Sequence, residues 1–180
     1  MMKRPRTSAF VGVSLDGFLS RLDGSLDWLK PFEGEEHGYT EFIASVDSVV
    51  LGRATYEFVL SMLAEGLPWP YQGKRCVVMT HRTLQAANAE RAFEGEPATL
   101  LSQLHAEGAR HVYVDGGVVI RSFLAAGRLD SLTISVVPSL IGSGRPLFGG
   151  VTLESGLTLE GATSFGNGIA QLRYRATTVS

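Results

Sequence analysis

Three short stretches pair glycine with residues that hold anions: Gly52-Arg53-Ala54-Thr55, Thr80-His81-Arg82-Thr83 and Asp115-Gly116-Gly117-Val118. Each follows an apolar run of strand length, and the first and third lead into stretches with helical spacing. Glycine lets a backbone come close to a ligand, while the free N–H groups and dipole of a helix N-terminus favour an anion. Arg53 and Arg82 supply planar forks for phosphate oxygens, and Thr55 can donate or cap. Taken singly, Gly116-Gly117 also fits a plain strand-to-helix turn, and either arginine fits a solvated surface charge. The third glycine of the six-residue dinucleotide fingerprint is missing. The recurrence carries the reading, since ligands of open α/β sheets lie beyond the carboxyl ends of the strands. Three such ends with anion-holding groups suit a ligand carrying several phosphates.

A second group of candidates lies in loops. Asp16 follows the first strand in "SLDG", where an acid can orient or help protonate a substrate, or simply make an Asp-Gly turn. Trp28, in "SLDWL", can stack on a flat heterocycle or anchor its loop. Arg145 sits in the Gly/Pro-rich "GSGRP". The histidines at 37, 81, 105 and 111 lack zinc-like spacing, and neither HExxH nor CxxC occurs. "GEEHG" reads as an exposed loop. With no serine nucleophile elbow either, hydrolase chemistry is not a leading option.

The elements that must position these groups follow from periodicity. "AFVGVSL", "SVVLG", "KRCVVMT", "HVYV" and "SLTISVV" are short apolar runs of buried-strand type. Helices are expected at Tyr39–Ser45, in "ATYEFVLSMLAEG" beginning near Thr55, in "PATLLSQLHAEG", and in "VVIRSFLAAG". Phe58/Met62 with Val59/Leu63, and Val119/Phe123 with Ile120/Leu124, form the apolar faces of the second and fourth. Pro97 opens the third and Gly108 and Gly127 stop the last two. "LTLEGATSF" and "IAQLRYRATT" flank Gly166-Asn167-Gly168 as a hairpin. The expectation is one α/β domain over residues 1–180: a mixed, mostly parallel sheet, helices on both faces and a C-terminal antiparallel hairpin. The loop from Asp16 to Gly38 is long enough to be a lid or binding loop.

Composition sets limits. The chain has 180 residues, 44% hydrophobic and 19% charged, with a net charge of −2. That balance gives no nucleic-acid or membrane footprint. No apolar run reaches the roughly 18 residues of a membrane span. The single cysteine, Cys76, reads as a buried thiol, in keeping with a cytoplasmic chain.

In order along the chain, "SLDGFLSRLDGSLDW", "LGRATYE", "MTHRT", "YVDGGVVIRSFLAAGRLDSLTISVVPSLIGSGRPLF" and the final hairpin resemble the dihydrofolate reductase-like superfamily. The nearest resemblance is to the reductase domain of the riboflavin-pathway deaminase-reductase, here without the zinc deaminase domain. The resemblance implies NADPH as cofactor. Gly52, Arg53 and Thr55 would meet the pyrophosphate and adenosine end. Thr80, His81 and Arg82 would read the 2′-phosphate. Asp115, Gly116, Gly117 and Val118 would cradle the diphosphate. Asp16 would border nicotinamide and substrate as a candidate catalytic acid, and Asp27, Trp28 and Arg145 would lie on the substrate side. The implied reaction is hydride transfer to a C=N bond of a small heterocycle, either the ribosylamino-pyrimidine phosphate of riboflavin synthesis or a pterin. A non-catalytic nucleotide-binding module of the same fold is the alternative. A homodimer is implied by the same resemblance.

Overall fold

The computed structural model describes residues 4–149 and 156–177. Its strands are β1 (Arg6–Ser14), β2 (Phe18–Ser20), β3 (Ser48–Gly52), β4 (Arg75–Met79), β5 (Arg91–Phe93), β6 (His111–Asp115), β7 (Ser131–Val137), β8 (Arg145–Pro146), β9 (Gly156–Ser164) and β10 (Ala170–Thr177). Its α-helices are α1 (Tyr39–Ala44), α2 (Arg53–Ala64), α3 (Pro97–Ala106) and α4 (Gly117–Ala125).

Eight strands form one sheet in the order β5-β4-β3-β6-β1-β7-β10-β9. All neighbours up to β7 are parallel, and β10 runs antiparallel to both β7 and β9. The central strands are near-continuous β-branched runs because both of their faces are covered: every residue of β3 is buried. On one face, α3 and α4 pack Leu100, Leu104, Ile120 and Phe123 against Val11, Val50 and Val112. Full burial of Ile120 and Phe123 contributes about 1.5–3 kcal/mol each. On the other face, Phe42 of α1 and Tyr56 and Val59 of α2 pack on Val49, Leu51 and Val78. The mostly parallel mixed sheet, the helices on both faces and the closing hairpin agree with the sequence reading. Gly168, at φ +89°, turns that hairpin.

Several local expectations need correction. Helix α2 begins at Arg53, directly on Gly52, and not near Thr55. Its buried residues are Tyr56 and Val59, while Phe58 is 36% exposed, because Tyr56 reaches under the helix to a buried acid described below. The Asp16–Gly38 loop holds β2 and a 3-10 helix, Asp27–Phe32. "GEEHG" is an exposed loop, as expected, and it also clamps the hairpin turn: Glu35 accepts the amides of Gly166 (3.2 Å) and Asn167 (3.1 Å). Strand β5 was not foreseen. It has three residues, mostly exposed, and exists through its parallel pairing with β4. Among the described residues no helix is long and apolar enough to cross a membrane.

Candidate functional site

Parallel pairing brings the carboxyl ends of β1, β3, β4, β6 and β7 to one edge of the sheet. Because β3 and β6 are neighbours, the turns that lead into α2 and α4 lie side by side and interlock. Gly116 has φ +103°, and a Cβ there would sit 2.5 Å from Thr55 Oγ1 and 3.5 Å from the Gly52 amide nitrogen. A Cβ on Gly52 would sit 3.1 Å from Val119 Cγ2. Glycine at 116 is thus demanded by the neighbouring turn and by its own dihedral angle. Thr55 does not cap α2; it packs on Gly116. Gly52 and Gly116, the residues preceding α2 and α4, provide no side-chain cap. Two helix N-termini therefore present amides with no side-chain acceptor at one corner. Val118, in the first turn of α4, is 71% exposed there. Gly117 is enclosed, since its Cβ would lie 2.7 Å from Leu19 Cδ1.

Beside this corner the cations gather on one acid. Arg53 Nε donates to Glu57 Oε1 at 2.8 Å, and Arg53 Nη1 donates to the Thr83 carbonyl at 3.1 Å. Arg82 Nη2 lies 3.9 Å from the same Glu57 oxygen. The Arg53 hydrogen bond, with the charges of Arg82 and Arg145 behind it, holds the Glu57 carboxyl below its usual range. The loop that carries Thr80, His81 and Arg82 is fixed from beneath. Thr80 donates its amide to the Phe93 carbonyl at 2.9 Å and accepts the Arg82 amide on Oγ1 at 3.1 Å. Glu90, 4% exposed, accepts the amides of Ala87 and Asn88, both at 2.6 Å, and the Tyr56 hydroxyl. His81 is exposed.

The substrate-side candidates divide. Asp16 accepts the Ser14 hydroxyl at 2.6 Å and the amides of Gly142 (2.7 Å) and Ile141 (3.2 Å), and the Ser14 bond leads in holding its carboxyl below the usual range. It fastens the end of β1 to the loop after β7. Arg121 of α4 grips the same loop at the carbonyls of Pro146 (2.9 Å) and Leu147 (3.0 Å). Arg145 donates to the Leu22 carbonyl at 3.2 Å and lies 3.8 Å over the position a Cβ of Gly24 would take. Asp27 is paired with Arg21 at 2.6 Å. Trp28 is 5% exposed and packs with Val137 and Ile169, so it anchors its loop.

The structure brings Gly52, Arg53, Thr55, Arg82 and Asp115 to Val118 to one edge, with Asp16 and Arg145 on the adjoining strap. Asp115 faces inward. Tyr71 donates to its Oδ2 at 3.3 Å, Tyr113 lies beside it, and burial pushes its carboxyl up to about 6. Burial also raises the nearby Tyr39 hydroxyl to about 12. Sequence reasoning missed Glu57, Glu90 and Tyr56. Only Glu57 left a signal, four residues after Arg53 on a helix.

Known proteins share this arrangement of chain. The family model described as the RibD C-terminal domain matches residues 6–171. The uncharacterized protein YwjB of Bacillus subtilis is 37% identical over 172 residues, covering 94% of this chain and 97% of that one. A crystal structure of a Shewanella sp. PV-4 protein, provisionally described as a riboflavin biosynthesis protein, superposes with a TM-score of 0.86 at 27% identity, covering 96% of this chain and 99% of that one. A dihydrofolate reductase from Enterococcus faecalis, solved with NADP(H) and RAB-propyl, shares the fold at a TM-score of 0.62 and 16% identity, with 96% of each chain covered. With its sheet order, its paired glycine turns and this match over nearly its whole length, the chain belongs to the RibD C-terminal domain family, a reductase-type family on a dihydrofolate reductase-like fold.

Proposed function

We propose that this protein is an NADPH-dependent reductase that transfers a hydride to the carbon of a C=N bond in a small heterocycle, similar to 5-amino-6-(5-phosphoribosylamino)uracil reductase. The observation that carries the reading is the corner where the N-termini of α2 and α4, both without side-chain caps, interlock beside the Arg53–Glu57–Arg82 group. Backbone amides at two adjacent helix starts suit a diphosphate, and two guanidinium groups suit a phosphate monoester. The Enterococcus faecalis neighbour was solved with NADP(H), which supports the choice of cofactor.

In this reading NADPH supplies the hydride, and the protein binds, orients and manages the proton. Gly52, Gly116, Gly117 and Val118 present backbone to the diphosphate, with Thr55 filling the joint behind them. Thr80, His81, Arg82 and Arg53 take the adenosine end and its 2′-phosphate. Asp16 remains a carboxylate at neutral pH and shapes the substrate edge by holding residues 141 and 142. Asp115, behind the turn, accepts from Tyr71 and is pushed by burial up to about 6, and we assign the holding of a proton to it. Arg145 is the group suited to a substrate phosphate. Asp27 and Trp28 act on their loop.

Titration with NADPH and with NADH, read by energy transfer from Trp28 and Trp69, tests the reading. NADPH is expected to bind, and Arg53→Ala or Arg82→Ala to weaken it about tenfold or more, with little change for NADH. If neither nucleotide binds, the proposal fails. If NADPH binds but is never oxidised by pyrimidine or pterin substrates, the chain is a nucleotide-binding module.

A further inference from the structure

The opposite edge of the sheet carries a cavity of about 400 Å³ where β1, β6 and β7 begin. Its floor is a row across adjoining strands: Arg6 and Ser8 of β1, Ser131 and Thr133 of β7, and Arg173 of β10. Register fixes the row, since Ser8 pairs with Ser131 and Thr133 pairs with Arg173. One wall is the end of α1 with His111 beneath it.

The hydroxyls of Ser8 and Ser131 and the His111 imidazole are already committed to one another. Ser131 donates to Ser8 at 2.8 Å, Ser8 lies 2.8 Å from His111 Nε2, and His111 Nδ1 lies 3.1 Å from the Ser45 carbonyl. Both ring nitrogens of His111 are therefore engaged, Nε2 by Ser8 and Nδ1 by the Ser45 carbonyl and, at 3.2 Å, the Ser45 hydroxyl. These contacts hold the His111 ring in the wall of the cavity. Burial first, and the Arg6 charge after it, hold its pKa below the usual value.

The cations are not committed. Among the described residues, neither Arg6 nor Arg173 has a carboxylate within salt-bridge distance, and Glu160, which also lines the cavity, is paired with Arg175 at 3.0 Å. Arg173 also has a prepared seat. A Cβ on Gly161 would lie 2.7 Å from Arg173 Nη2, so the guanidinium rests on the bare backbone of β9. Two like charges sharing one cavity repel unless an anion lies between them, and the guanidinium fork matches a tetrahedral oxyanion. The volume falls at the small end of ligand pockets.

We propose that this cavity is a second binding site, for a small phosphate monoester, held by the guanidinium groups of Arg6 and Arg173 with the Thr133 hydroxyl as a further donor. It is separated from the cofactor corner by the length of β6, from His111 to Asp115, and does not rest on the reductase reading. His111, linked to Ser8 and adjacent to Arg6, reports occupancy without being a ligand.

The test follows the His111 ring resonances of the full chain, assigned by their loss in His111→Gln. Inorganic phosphate and glycerol 3-phosphate are titrated at constant ionic strength, with glycerol as the uncharged control. A saturable shift with glycerol 3-phosphate, in the millimolar range or tighter, is expected, and none with glycerol. Arg173→Gln should weaken it about tenfold. Gly161→Ala, which keeps both charges but removes the seat, should also weaken it. NADPH binding should be unchanged in both variants. Absence of a saturable His111 shift, or the same affinity in wild type and Arg173→Gln, overturns the proposal. A response confined to the cofactor corner does so too.

Discussion

At the α2–α4 corner the backbone itself is the constraint: Gly116 has room for no Cβ against Thr55, and Gly52 has little against Val119. Across from it, residues 14–27 and 139–147 are held by side chains gripping backbone, through Asp16 on the amides of 141 and 142, Arg121 on the carbonyls of 146 and 147, and Arg145 on the carbonyl of 22. The first arrangement is over-determined and has one geometry. The second can be released bond by bond. In the function proposed above, the rigid half would hold the dinucleotide phosphates and the releasable strap would border the substrate.

The largest effect should come from breaking the rigid half. Gly116→Ala places a methyl group against Thr55 at a dihedral angle that L-residues rarely adopt, and is expected to cost about 3 kcal/mol or more. Thermal unfolding measures the loss, and nucleotide binding should fall with it. Adding Thr55→Ala should restore part of the stability, because it removes the nearest clash and leaves the backbone strain. If the double variant is no better than the single one, the two turns do not interlock as described.

Asp115 tests the same corner from inside. Its carboxyl has a folded pKa of about 6 against an ordinary 3.8, so the folded chain takes up a proton between those values. The folded state binds more protons than the unfolded state there, so stability falls as pH rises from about 4 to 6 and stays reduced above. Asp115→Asn removes that cost and should stabilise the protein at pH 8 by up to about 3 kcal/mol, with far less gain near pH 4. Urea unfolding at the two pH values checks the sign. If Asp115 holds the proton as proposed, the same variant loses hydride transfer while still binding NADPH. An equal stability change at both pH values would contradict the raised pKa.

On the strap, Asp16 predicts the opposite pH behaviour. Its pKa is depressed, so its contribution is present above the unfolded value and lost as pH falls through the folded one. Asp16→Ala should loosen residues 139–147, seen as faster amide exchange at Ile141 and Gly142, and raise KM for substrate while NADPH affinity stays as it was. A loss of NADPH affinity would mean that the two halves are coupled more closely than their contacts suggest.

How much of this could be read from the chain follows the same division. Gly52, Gly116, Arg53 and Arg82 stood out because their types and their places after apolar runs are local features. The mixed, mostly parallel character of the sheet and the closing hairpin followed from periodicity and turn residues, whereas the order of the strands did not. Capping was one of two roles open to Thr55, beside donation, because the helix was started near it and not at Arg53; propensity places helix ends poorly when a strand runs straight into one. For Trp28 the sequence left stacking and loop anchoring both open, because it does not show that Val137 and Ile169 close over the ring. Glu90 left no trace at all. Its role depends on Tyr56, 34 residues away, and on a loop whose path is set by the unforeseen β5.

The smallest effect sharpens the comparison most. Glu57 holds Arg53 and Arg82 in place, yet it is an anion at the spot proposed for the 2′-phosphate. A phosphate arriving there must compete with the carboxylate for both guanidinium groups, whereas the bare ribose of NADH need not. Glu57→Gln keeps the length and a hydrogen-bond acceptor and removes the charge. NADPH should then bind about threefold more tightly at low salt, an advantage that shrinks as salt rises, with NADH unmoved. If NADPH instead binds more weakly, the carboxylate orders the arginines more than it opposes the phosphate, and the corner is rigid in its side chains as well as in its backbone. If both nucleotides shift alike, the 2′-phosphate lies elsewhere and the assignment of Arg53 and Arg82 to it fails.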